Sequence, residues 1–319
     1  MFIIKYKKIF LGFAVLLVVL SAAAVWAFGI RAGIDFTGGS LIEIEYAKGL
    51  RPDVVVVKGQ LDKGGFKDAV VQPIGEKGFM IRLRSLDEKD HAAIVSVLGS
   101  DPINQPVEKQ FNSIGPVVGS ELRAKAWVSV LSVLFAIVLY IAFAFRKVST
   151  PVSSSRYGLI AVIALAHDVV VPIGLLAVLG HFMNVEADVL FITALLTILG
   201  FSVHDTIVVF DRVRENLKLK ISPDFGEVVG RSINQTMARS INTSLTVVLV
   251  LSALLVFGPA STYYFSFILL IGIISGTYSS IFIASPLLVV VEEYQKKHAK
   301  AVRSGSSDPA ARQGKKKHK

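Results

Sequence analysis

The 319 residues are 53% hydrophobic and only 18% charged, a balance that excludes an ordinary soluble domain and places the chain among polytopic membrane proteins. A formal net charge of +10 would suit a nucleic-acid binder, but the basic residues crowd the tail and the loops on one side of the apolar segments. Cysteine is absent, which excludes a disulfide framework.

Lys5, Lys7 and Lys8 precede an apolar segment over 9–30. A cleavable secretory signal has the same polarity, with Ala22, Ala23 and Ala24 as its small residues, but the run is longer than a usual signal core. Residues 1–30 therefore read as a cytoplasmic amino terminus and a first, uncleaved transmembrane helix. Residues 31–122 are the one long polar region between hydrophobic segments and carry the pattern of an extracytoplasmic α+β domain. Strands are expected over 40–47, 69–74, 79–84 and 107–114, and helices over 52–61 and 87–98, with Asp87 near an amino end. The order β-α-β-β-α-β is the ferredoxin-like arrangement. His91, the domain's single histidine, falls on an exposed helix and reads as a surface residue.

Five more apolar runs follow at about 126–145, 159–179, 189–210, 241–257 and 265–291, near the length of about 20 residues that crosses a hydrocarbon core of about 30 Å. The expected fold is thus a polytopic α-helical membrane protein with six transmembrane helices plus a small extracytoplasmic ferredoxin-like domain. Residues 123–293 form the five-helix bundle, and 294–319 a basic, disordered cytoplasmic tail. Arg146, Lys147 and Arg156 share one loop, and Arg212, Arg214, Lys218, Lys220 and Arg231 another, whereas the turns around Met183 and Pro259 hold no Lys or Arg. Positive loops stay inside, so both termini are cytoplasmic. Residues 224–238 between the fourth and fifth spans read as an amphipathic helix lying at the interface. The tail can meet anionic lipid or RNA, though a solvated topogenic tail is the simpler reading, with no specific nucleic acid as partner.

Ionisable groups within spans mark functional sites, because one at the middle of a spanning helix costs roughly 2.5 to 3.5 kcal/mol on insertion scales. His204-Asp205 in the fourth span is echoed by His167-Asp168 in the third, where Pro172 withholds the hydrogen bond that the Asp168 carbonyl would accept. In the fifth span Arg239, Asn242, Thr243 and Thr246 fall at i, i+3, i+4 and i+7, a polar stripe that can line a water path facing Asp205 or bond between helices. In the sixth, Gly272/Gly276 and Ser275/Ser279 are small-xxx-small pairs and read as packing. Two imidazoles and two carboxylates are also chemically suited to a metal, and metal binding is the alternative class. Adjacent His and Asp point about 100° apart on a helix, which argues against that reading. No metal or cofactor is expected, and no H-E-x-x-H pair is present.

Four strings add a resemblance: GIDFTGG at 33–39, HDTIVVFDRVREN at 204–216, SINQTMARSINTS at 232–244 and FSFILLIGIISGTYSSIFIASP at 265–286. Together, in this order, they resemble the SecD/SecF family of bacterial protein export, within the resistance-nodulation-division superfamily, on its SecF side. The resemblance runs from about residue 5 to 295. It implies an auxiliary of the Sec translocon that consumes no ATP, partnered by SecD and the SecYEG translocon and acting on preproteins in the bacterial cytoplasmic membrane. It further implies that inward proton flow drives movement of the outer domains, with Asp205 and Arg239 as the matching proton-path residues and a third acidic residue supplied by SecD. The family often has Asn where His204 stands, so a relay role for His204 rests on its chemistry alone. A small-substrate exporter of the same superfamily is a further alternative. Gly33, Asp35, Gly38 and Gly39 lead into the outer domain, and with Gly29, Gly115 and Gly119 they are expected to act as flexible joints.

Overall fold

The computed structural model describes residues 2–46, 51–99, 105–144 and 152–305. One turn of helix, α1 (Phe2–Lys5), leads into the first span, α2 (Lys7–Phe28). The chain then makes a one-turn helix, α3 (Ile34–Thr37), and enters the outer domain. There β1 (Gly39–Tyr46), α4 (Val54–Lys63), β2 (Val70–Ile74), β3 (Gly78–Leu83), α5 (Glu88–Leu98) and β4 (Pro106–Ile114) follow in the expected order. The sheet order is β2-β3-β1-β4 with every neighbour antiparallel, which is the ferredoxin-like topology. Alternation puts Ile42, Ile44, Tyr46, Phe79, Ile81 and Leu83 on one face, where they bury against Val57 and Leu61 of α4 and Ile94 and Leu98 of α5. Asp53 and Asp87 cap the two helices by accepting from Val55 N at 2.9 Å and Asp90 N at 2.8 Å. His91 stacks on Phe111 and contacts Glu108, a surface arrangement as expected. The expected strand end at Ala47 lies outside the described residues.

The bundle consists of α6 (Pro116–Ala144), α7 (Ser154–Met183), α8 (Val189–Lys218), α9 (Phe225–Phe257), α10 (Tyr263–Ser279) and α11 (Ser285–Gly305). A π turn, Ser280–Ala284, joins α10 to α11 within one long span. With α2, six helices are long and apolar enough to cross a membrane. The central helix is α10, which packs on α7, α8 and α9; α2 packs on α7 from outside. Trp26, Trp127, Phe135, Leu249, Val250 and Phe257 are exposed on the outer faces, as lipid-facing positions are.

The helices outrun the apolar segments in three places. α6 starts directly after β4, at Pro116, so the outer domain feeds into the second span with almost no linker. The stretch 224–238 is not a separate helix at the interface: it is the first half of α9, and Phe225, Val229 and Ile233 are buried in the bundle with Phe210, Val213 and Leu288. α11 continues through Gly305 rather than dissolving after Glu293, and residues 306–319 lie outside the described ones, as do Arg146 and Lys147. Polar helix ends are invisible to a hydropathy reading yet complete their backbone bonds, and that of α9 also buries one face.

The glycines leading into the outer domain are close-packing positions rather than loose joints. Gly38 has φ +76, and a Cβ on it would sit 2.7 Å from Pro116 Cα; a Cβ on Gly119 would sit 2.7 Å from Gly38 N. The strap, residues 29–38 between α2 and β1, therefore crosses the start of α6 backbone to backbone. Gly33 and Gly39 are likewise crowded, by Ala187 O at 2.9 Å and Leu83 O at 2.8 Å, while Gly29 and Gly115 have open space around them.

Candidate functional site

α8 ties the outer face to the interior. At its amino end Asp188 caps it, accepting from Phe191 N at 2.7 Å, and Asp35 reaches across from the strap to accept from Val189 N at 2.8 Å. Two carboxylates at one helix start complement its dipole and satisfy amides that the helix leaves free. The strap is pinned beside them by Gly33 N to Ala187 O and Ala187 N to Arg31 O, both 2.7 Å. The sheet joins in: Arg82 pairs with Glu186 at 3.2 Å, and Gln72 donates to Met183 O at 2.6 Å. Between this junction, the open face of the sheet and Tyr263, Tyr264 and Phe265 lies a cavity of about 680 Å³.

Burial pushes Glu186 and Asp188 above the ordinary carboxylate range, against the pull of Arg82 and Arg31 on Glu186 and of the Phe191 amide on Asp188. A carboxyl whose folded value is raised adds stability that is full below its unfolded value and is lost as pH rises through the raised one. The junction should accordingly tighten on acidification from neutral pH toward the ordinary carboxylate range. Hydrogen exchange of the Gly33 and Ala187 amides, corrected for intrinsic rate, should slow as pH falls, and the combination Glu186→Gln with Asp188→Asn should flatten that dependence while retaining an N-cap.

About 24 Å along α8 from Val189, at ~1.5 Å per residue, stands Asp205. It is 6% exposed. Its carboxylate is held by two hydroxyls: Ser240 of α9 donates to Oδ1 at 2.6 Å, and Ser280 of the π turn donates to Oδ2 at 2.8 Å. Asp168 on α7 is fully buried in a matching seat. Ser279 donates to its Oδ2 at 2.6 Å, Ser202 donates to the same oxygen, and His167 Nδ1 lies 2.9 Å from Oδ1. Adjacent serines, Ser279 closing α10 and Ser280 opening the π turn, therefore serve two different carboxylates.

The remaining expected site residues do not converge on Asp205. Arg239, Asn242, Thr243 and Thr246 are exposed, and the face of α9 that meets Asp205 is the one carrying Thr236, Ser240 and Ser244. One residue is about 100° of helix, so the stripe of Arg239 looks away from the one of Thr236, Ser240 and Ser244. The Asp205–Arg239 ion pair is not formed in this arrangement, and Arg239 lies on the outer surface at the level of Asp205. His204 is exposed on another face of α8, and among the described residues no three His, Asp or Glu side chains gather as a metal site would require. Asp35 has a definite role as a helix cap. Gly272 and Gly276 do pack closely, against Ile198 and Ser202, but Ser279 belongs to the Asp168 seat. Ser202, Ser240, Ser279 and Ser280 were not anticipated. Their one signal was that a carboxylate buried in a span needs donors nearby. At the carboxyl end of α8 Asn216 donates to Ser232 Oγ and Gln235 Oε1, both 2.8 Å, and Arg212 donates to Gln235 Oε1 at 2.7 Å, a clamp between α8 and α9.

Six spanning helices, an outer ferredoxin-like domain clamped to one of them and buried carboxylates in that helix pair define a multi-pass membrane transport component. Residues 98–294 match the family "Protein export membrane protein SecD/SecF, C-terminal", and residues 23–49 match the "SecD/SecF GG Motif", which contains the strap. The protein translocase subunit SecF of Thermobaculum terrenum is 43% identical over 90% of this chain and 92% of that one; the Pseudomonas aeruginosa subunit SecF is 35% identical over 89% of each. The crystal structure of SecDF from Thermus thermophilus, a translocon-associated membrane protein, superposes with a TM-score of 0.79 at 34% identity over 91% of this chain, which spans 38% of that longer one. A SecDF structure in a super-membrane-facing form gives 0.66 at 33% identity over 93% of this chain and 39% of the other. The chain belongs to the SecF family of protein translocase subunits.

Proposed function

We propose that this protein is the SecF subunit of a SecD–SecF assembly in the bacterial cytoplasmic membrane, and that it uses inward proton movement to help the SecYEG translocon carry preproteins outward. The observation that carries the proposal is the position of Asp205: a buried carboxylate on the same helix whose outer end is capped by the strap of the outer domain. Loading and unloading a proton at Asp205 alters the hydrogen bonds that α8 makes to α9 and to the π turn. A rigid helix then delivers that change to the strap. One proton moving through 100 mV supplies about 2.3 kcal/mol, enough to bias a two-state helix arrangement, so a long polypeptide is moved by repeated cycles.

The exposed polar stripe of Arg239, Asn242, Thr243 and Thr246 supports SecD as the partner. A guanidinium at membrane depth is expensive against lipid, whereas an acidic residue on a neighbouring helix would satisfy it and bring it within reach of the Asp205 pathway. The basic residues of the α8–α9 connection support cytoplasmic termini. Reporter fusions near Gly75 should be active outside the membrane and those near Lys218 inside; a cytoplasmic signal from Gly75 overturns the orientation. The function itself is tested by preprotein translocation into membrane vesicles containing the assembled complex, with and without a proton gradient.

A further inference from the structure

The wide turn that joins α10 to α11 serves both buried carboxylates, and each of its serines has a choice of acceptor. Ser279 Oγ lies 2.6 Å from Asp168 Oδ2 and 3.0 Å from its own helix carbonyl, Gly276 O. Ser280 Oγ lies 2.8 Å from Asp205 Oδ2 and 3.0 Å from Thr277 O. A hydroxyl has one hydrogen to give. Facing an ionised carboxylate, it gives that hydrogen to the carboxylate; when the oxygen it faces carries the proton, it accepts from the acid and turns its own hydrogen to the helix carbonyl. Each serine is thus a rotor set by the protonation of its aspartate. The two rotors are neighbours at the junction of α10 with the π turn, an irregularity common at functional sites, and Ser285 Oγ closes the turn onto Ser280 O at 3.1 Å.

Asp168 is equipped to use this. His167, 4% exposed, meets Asp168 through Nδ1, while its Nε2 is buried with no hydrogen-bond partner among the described residues. A buried imidazole nitrogen left open is the free end of a proton relay, ready for water or another donor. The titratable surroundings are few. α7 contributes His167 itself, and α8 contributes Asp205. α10 contributes Tyr278, whose ring lies 6.4 Å from that of His167 and whose hydroxyl is committed to Phe10 O at 2.8 Å. α2 carries no ionisable side chain between Lys8 and Phe28, and α6 carries only Tyr140 between Lys125 and Ala144.

We infer that the His167–Asp168 pair is a second proton-binding site of this chain, coupled to Asp205 through the Ser279–Ser280 turn. The step is a protonation: a proton passed by water, or by His167 with a turn of the carboxyl, comes to rest on Asp168 Oδ2, the acid then donates to Ser279, Ser279 turns its own hydrogen to Gly276 O, and no bond between heavy atoms changes. The inference rests on the proton-driven reading above, and its test reads protonation directly rather than export. Infrared difference spectra of the full SecD–SecF complex in lipid, taken across pH steps, should show two carboxylic-acid bands from this chain. Asp205→Asn should remove one, and Asp168→Asn the other. Ser279→Ala and Ser280→Ala, which keep both carboxyls and serve if Asp168→Asn does not accumulate, should each move the titration midpoint of the opposite aspartate by about one pH unit. His167→Gln should shift the Asp168 band itself. A spectrum without an Asp168 band over the whole range, or an Asp205 midpoint unmoved by Ser279→Ala, overturns the inference. Coupled bands in a complex whose export ignores the gradient would uphold the second site while removing the export reading; gradient-driven export with an invariant Asp168 would do the opposite.

Discussion

Asp205→Asn in the assembled complex should abolish the gradient-stimulated part of preprotein translocation, bringing the ratio of rates with and without a gradient to about one, while the complex still reaches the membrane in normal amount. The amide is the same size as the carboxylate and keeps an acceptor for one serine, and Ser280 retains Thr277 O as an alternative partner. Packing is therefore preserved, and what is lost is a group that takes up and releases a proton. Arg239→Lys keeps the charge without the planar fork and should retain partial stimulation, because a guanidinium grips a carboxylate at two points and an ammonium at one. The deciding measurement is translocation normalised to assembled complex. Full stimulation in the Asp205→Asn protein would sink the proton-carrier role, and loss of the complex itself would assign Asp205 to structure.

Gly38→Val should have the largest effect on stability. The residue holds φ +76, which a β-branched side chain avoids, and the added Cβ would lie 2.7 Å from Pro116 Cα, an atom of the backbone that cannot rotate aside. Backbone strain of about 1 to 3 kcal/mol combines with overpacking of about 1 to 3 kcal/mol. The purified complex should melt at a clearly lower temperature, and the outer domain should become sensitive to protease. Gly115→Ala, where a Cβ meets nothing within 4 Å, is the matched control and should leave both unchanged. Equal behaviour of the two variants would show that the strap does not pack on α6 as described.

The spans and the outer domain were legible because each rests on a pattern with one physical meaning. Apolar runs of spanning length have few other uses, and the alternation of Ile42, Ile44 and Tyr46 leaves one face for a core. Asp168 and Asp205 were legible for the same reason, since an ionisable group within such a run needs an explanation. Their serine partners were not, because Ser275 and Ser279 at small-xxx-small spacing read equally well as packing, and only coordinates show that Ser279 bonds a carboxylate. α9 carries two polar stripes, one beginning at Arg239 and one at Thr236, and nothing in the residues alone ranks which faces Asp205. The π turn has no residue signature. The glycines at the entry to the domain were seen, but not that Gly33, Gly38 and Gly39 are close-approach positions: the absence of a side chain permits free rotation and close approach alike, and the neighbours decide between them.

The capping of α8 by Asp35 also sets an order of assembly. Asp35 lies 154 residues before Val189 and is made long before it, and the bond from Gly33 to Ala187 spans the same sequence distance. The outer domain, whose core is built from its own strands and helices, completes itself while the strap still lacks its partner. When the α7–α8 hairpin later crosses the membrane, the amino end of α8 arrives beside a waiting carboxylate. A strap variant should therefore betray itself during biogenesis, as misinserted α8, before any defect in the mature complex is measured.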